Sequence, residues 1–207
     1  MSTLAVNTLQ AQTGTTVSVP SGQKIVGTDA GSIVAPGSVI QITHGRLSNT
    51  VTATGVSGSD YIYDIGLSAS ITPKFSNSNI LINVNMYVGC DQTSSSGYQQ
   101  SYFIYKNGSE LDEVNGDEEG GRRGVPGSIN MYDPGGATQT QYSLHRLGGT
   151  HMDYNVGATT AQTYSVRTRS YSSGPTIYIN RSQTFQNNAA NYDHVPQSTI
   201  TLTEIAQ

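Results

Sequence analysis

The sequence predicts an all-β chain: an antiparallel, jelly-roll-like β-sandwich head preceded by an extended N-terminal segment. Strong surface helix formers are scarce in its 207 residues, with 3 Lys, 5 Glu and 7 Arg. Ser (25), Thr (24) and Gly (23) take their place, and these residues compete with or weaken helical hydrogen bonding. Apolar residues recur with a period of two in short runs bounded by turn signals, and no helical period is sustained.

The elements follow in order. Residues 1–36 hold only small apolar clusters between turn signals at Gly14, Ser21-Gly22 and Pro36-Gly37. Clusters of two or three apolar residues cannot bury a core alone. Leu4, Val6, Leu9, Val17, Val19, Ile25 and Val26 are therefore expected to anchor the segment to copies of itself or to another protein. Packing on its own C-terminal domain is the alternative. Residues 37–207 read as the sandwich head. Val39–Thr43 is a first short strand. In the run Tyr61–Ile71, Ile65, Leu67, Ala69 and Ile71 share one face. Ile80–Val88 places Ile80, Ile82, Val84, Met86 and Val88 on one face, with Asn83, Asn85 and Tyr87 on the other. Ser101–Lys106 ends in Asn107-Gly108, a strong hairpin signal, with Leu111 starting the return. Gln141–His145, Gln162–Arg167, Thr176–Asn180 and Thr199–Ile205 complete the set. The connections 89–100, 107–136 and 183–198 are long, and long loops on a sandwich carry function or are disordered.

Charge excludes several classes. A net charge of -4 is wrong for a nucleic-acid binder, which needs a basic face. No apolar run approaches the roughly 18 residues that span a bilayer, so membrane insertion is not expected. The opening MSTLAVNTLQAQTG has neither a basic region nor a continuous apolar stretch, so it does not read as a secretion signal. The single Cys90 permits no intrachain disulfide and no cysteine metal cluster. Synthesis in a cytoplasm is expected.

A set of short motifs runs in order along the chain: Leu4–Gln10 (LAVNTLQ), Gly37–Gln41 (GSVIQ), Leu67–Ile82 (LSASITPKFSNSNILI) and Tyr102–Gly108 (YFIYKNG). Ala161–Arg167 (AQTYSVR), Tyr178–Arg181 (YINR) and Ser198–Ile205 (STITLTEI) follow. Together they resemble a β-sandwich domain common in tail-fibre and virion proteins of bacteriophages, especially those of cyanobacteria. The resemblance implies a virion component on the tail or capsid exterior, made in the host cytoplasm. It further implies a homotrimer with an N-terminal attachment segment that joins other virion proteins and a distal β-domain for host recognition. A capsid fibre, decoration or tail adaptor without a receptor-binding role is the alternative. Trimerisation would bury apolar clusters too small to fold a monomer.

No enzyme, cofactor, catalytic residue or metal site is expected. His145, His151 and Asp153 invite a zinc reading, since His151/Asp153 has the i, i+2 spacing of ligands on a strand. Two surface histidines beside a hairpin turn at Gly148-Gly149 are the stronger reading. Asp112, Glu113, Asp117, Glu118 and Glu119 do not fit an EF-hand pattern, and Arg122 and Arg123 follow at once. Cys90 reads as a plain small residue. Tyr98, Tyr132, Tyr154 and Tyr192 lie in loops rich in amides. A ring can stack on the apolar face of a sugar while amides bond its hydroxyls, which makes them candidates for a host surface glycan. Tyrosines folded back onto the sandwich are the competing reading.

Overall fold

A computed structural model describes residues 8–11, 13–14, 16–29, 32–54, 62–89, 99–130, 142–170, 176–184 and 194–207. The chain divides into two compact units, Met1–Ile33 and Val34–Gln207, where the sequence pattern placed the division at 36 and 37. The described residues of the first unit contain neither helix nor strand. Leu9, Ile25 and Val26 there are exposed at 68%, 62% and 74%. Leu4 and Val6 lie outside the described residues.

The second unit is all-β and antiparallel, as expected. Its strands are β1 (Val39–Leu47), β2 (Val51–Ala53), β3 (Ile62–Ile71), β4 (Asn79–Gly89), β5 (Gln99–Lys106) and β6 (Ser109–Glu110). They continue as β7 (Gly127–Asn130), β8 (Leu144–Asp153), β9 (Gln162–Ser170), β10 (Ile177–Ile179) and β11 (Ser198–Ile205). In the first sheet β1, β11, β4 and β8 lie side by side, with β10 and β2 continuing beyond the end of β11. The second sheet runs β3, β9, β5, and both β6 and β7 pair with the far side of β5. The long strands alternate between sheets along the chain, which is the wrapping of a jelly roll.

The expected inner faces form the core. Ile80, Ile82, Met86 and Val88 of β4 are fully buried and Val84 nearly so. Ile65, Leu67, Ala69 and Ile71 of β3 meet them together with Tyr102, Ile104, Tyr164 and Val166. Burying each large side chain contributes roughly 1.5–3 kcal/mol. At β3 the pairing with β9 shifts between Asp64 and Leu67. Gly66 there has φ +78 and donates its N–H to Asp64 Oδ1 at 2.9 Å. At the sandwich edge β1 and β3 approach so closely that a Cβ on Gly45 would stand 1.9 Å from the Ser68 carbonyl oxygen.

Several boundaries differ from the sequence reading. The first strand extends through Gly45 to Leu47, and β2 and β7 had no pattern long enough to announce them. Leu111 does not start the return strand. That strand is the two-residue β6, and Leu111 precedes a 3-10 turn over Asp112–Val114. Gly148-Gly149 is not a hairpin turn but the middle of β8, paired with Asn85 and Val84 of β4. A Cβ on Gly148 would fall 2.1 Å from the Val84 carbonyl oxygen, and one on Gly149 would fall 2.9 Å from the Tyr102 hydroxyl. Glycine is required there by close approach, not by a bend.

The strands define two ends. One end, where β1 begins at Val39, also carries the turns after Ile71, Lys106 and Asp153 and the end of β11. At the opposite end stand Leu47 of β1, Ile62 of β3, Gly89 of β4, Gln99 of β5, Asn130 of β7, Leu144 of β8 and Ser198 of β11.

Candidate functional site

The end beginning at Val39 carries a dense polar cluster. Three inward residues lie in register across the first sheet: Glu204 opposite Ile80, and Ile80 opposite Asp153. Both carboxylates are buried, and each has a distinct set of partners.

Glu204 is fully buried without a cation. Its Oε1 accepts from the backbone N–H of Lys74 (2.8 Å) and of Phe75 (3.2 Å) and from the Ser78 hydroxyl (2.7 Å). Its Oε2 accepts from Gln41 Nε2 at 2.6 Å. Hydrogen bonds to a charged acceptor are the strong ones. The carboxylate thus fastens the turn between β3 and β4 to the last strand.

Asp153 Oδ2 lies 2.8 Å from Lys106 Nζ and accepts a hydrogen bond from the Tyr164 hydroxyl. Lys106 also donates to the Val156 carbonyl at 3.3 Å. Glu113, from the 3-10 turn, stands near enough for the charges of Asp153 and Lys106 to act on it. Burial, followed by Asp153, pushes the Glu113 carboxyl above its usual range. Burial first, then Asp153, pushes the Tyr164 hydroxyl strongly up.

The histidines point inward, not outward. His151 pairs with Ile82 and His145 with Val88, both on the inner face of β8. His151 Nε2 is 2.5 Å from the Tyr102 hydroxyl. Burial lowers the pKa of His145 and of His151 and raises that of Tyr102 to about 12. A neutral imidazole accepting the phenolic proton fits both shifts. The surface-histidine reading is therefore corrected, because the strand runs straight through Gly148-Gly149. Although His151 and Asp153 share a face, they bond to different partners. Among the described residues no three His, Cys, Asp or Glu converge on a metal position.

The acidic segment after β6 is a small hairpin. Glu119 and Arg122 pair around Gly120-Gly121, which have φ +58 and +76. Arg123 pairs with Glu110 and stacks 4.6 Å over the buried Phe103 ring. This covers an aromatic residue on the outer face of the second sheet.

Of the saccharide candidates, Tyr154 is 66% exposed beside the Asp153 cluster. Tyr98, Tyr132 and Tyr192 lie outside the described residues, as does Cys90. The anchors Val17 and Val19 are exposed at 45% and 43%. The sequence reading missed Lys106, Tyr164 and Glu204 and saw Glu113 only as part of an acidic stretch. No protein-family model matches the chain, and no curated protein matches it.

Proposed function

We propose that the chain is a structural component of a phage virion: a short trimeric fibre, attached by its N-terminal unit, with the β-sandwich displayed for host-surface recognition. One observation carries this reading. The described N-terminal residues leave Leu9, Ile25 and Val26 mostly in water, a state that favours association. Val39 and Ile42 of β1 add exposures of 57% and 62%, next in the chain to those anchors. The sandwich polarity supports the same reading. The first strand begins at one end of the head, and Gly89, Gln99, Asn130 and Ser198 stand at the other. That far end is the one we assign to the host, with a neutral surface glycan as ligand.

The test is the mass of the assembled species. Protein at micromolar concentration should run at three times 22.0 kDa. A sole species at the single-chain mass, both for purified protein and for protein released from particles, would overturn the trimer. Adsorption separates the fibre from a decoration or adaptor. Tyr98→Ala, Tyr132→Ala or Tyr192→Ala should reduce it with little dependence on salt, whereas Tyr154→Ala should not. Adsorption unchanged in all four variants favours the adaptor.

A further inference from the structure

Lys106 and Asp153 stand at the ends of strands in different sheets, with Nζ 2.8 Å from Oδ2. Their side chains are 21% and 3% exposed. The Tyr164 hydroxyl hydrogen-bonds to the Asp153 carboxyl, Glu113 stands near it, and the Val156 carbonyl orients Nζ. We propose that these residues form a covalent cross-link, in which Lys106 Nζ condenses with the Asp153 carboxyl carbon to give an amide joining the two sheets and one molecule of water.

The chemistry balances without any cofactor or co-reactant. The Lys106 ammonium first gives a proton to the carboxylate pair, leaving a neutral amine beside a protonated Asp153. The nitrogen lone pair then attacks Cγ, forming the C–N bond. An N–O contact of hydrogen-bond length puts Nζ close to the ~3–3.5 Å near-attack separation from Cγ. The Tyr164 hydroxyl donates to the oxygen on which negative charge develops. Glu113 gives its proton to the departing hydroxyl and takes the second proton from nitrogen in its place, acting as acid and then as base. The C–O bond breaks, water leaves, and the positive and negative charges of the starting pair are both gone. Burial drives the step forward, because two charges are costly in a low-dielectric site and an amide is not. The exclusion of water that keeps Asp153 buried also protects the product from hydrolysis.

Three features separate this group from an ordinary ion pair. The nucleophile is a lysine, which can become neutral, whereas an arginine cannot. The carboxylate is almost fully enclosed. A second carboxyl, pushed above its usual range partly by the first, stands near it and supplies the proton relay.

The test is the intact mass of the full chain, purified at neutral pH and compared with the mass of its verified sequence. The wild type should be lighter by one water. Trypsin should fail to cut after Lys106 and should release a branched peptide joining residues 75–122 to 147–167. Glu113→Ala and Lys106→Arg, each verified as β-folded by circular dichroism, should keep the full mass. A folded wild type at full mass that is cut after Lys106 would overturn the proposal. Water loss persisting in Lys106→Arg would overturn it too, because dehydration would then lie elsewhere. Complete cross-linking in Glu113→Ala would refute the proton relay.

Discussion

Glu204 and the two inward histidines show how single buried groups set the stability of this sandwich. Glu204 accepts four hydrogen bonds and donates none. Glu204→Gln turns one acceptor oxygen into a donor facing donors. This should cost about 2–3 kcal/mol, since an unsatisfied buried group costs ≈ 1–3 kcal/mol and more where a charge was solvated. Urea unfolding measures it, and a loss below 0.5 kcal/mol, the level of about an ordinary surface change, would mean that the turn does not depend on the carboxylate. His145 and His151 have pKa values lowered by burial, so the unfolded chain binds more protons than the folded one as acid is added. Their contribution is intact above the unfolded value of about 6.5 and is lost as pH falls through the lower folded values. Glu113 has the opposite sign, because its raised pKa favours the folded state at low pH. The pH dependence of Tm between neutral and mildly acidic conditions should therefore flatten in His151→Gln. An unchanged slope would assign it to carboxylates instead. None of this was visible in the sequence. Glu204 sits in a run of Thr and Ile where any strand-end acid would read as solvated. Lys106, Glu113, Asp153 and Tyr164 meet only because β5, β8 and β9 end together.

The elements were legible where side chains alternate cleanly. Ile80–Val88 and Ile65–Ile71 announced both their strands and their buried faces, because a half-buried strand needs period two. Asn107-Gly108 announced its hairpin through the left-handed φ it requires, and Asn107 has φ 51. Strand β8 was hidden, since Leu147-Gly148-Gly149-Thr150 mimics a turn. Its glycines answer instead to the backbone of β4 and the hydroxyl of Tyr102, which are contacts distant in sequence. Gly148→Ala should accordingly push β8 from β4 and cost about 1–3 kcal/mol, the usual range for overpacking. A variant as stable as wild type in thermal unfolding would show that the strand pair can yield. The acidic hairpin after β6 shows no metal-binding pattern in the sequence. Its Arg123 instead closes over Phe103, a pairing that charge counting along the chain cannot disclose.

For the molecule as a whole, the sequence composition made two units visible, and the boundary falls a few residues before the first strand. Gly37 N–H donates to the Ala206 carbonyl and Ala206 N–H to Ser38, so residues from about Gly37 onward are tied into the head. Removal of residues 1–33 should therefore leave a β-sheet spectrum and a cooperative melt essentially unchanged while abolishing assembly. Loss of the sheet signal on truncation would show that the head needs the first unit to fold. A trimer that persists after truncation would move the subunit contacts to the head.

The polarity of the sandwich has a mechanical meaning. If the chain is held at Val39 and pulled at the connections of the opposite end, tension runs along the strand axes. The ladder between β1 and β11, in register from Val39 to Leu47 apart from one shift near Gln41, lies perpendicular to that tension. It would be loaded in shear, so its hydrogen bonds must fail together instead of unzipping one at a time. A tether built this way stretches little and then breaks at high force, which would suit the attachment role proposed above.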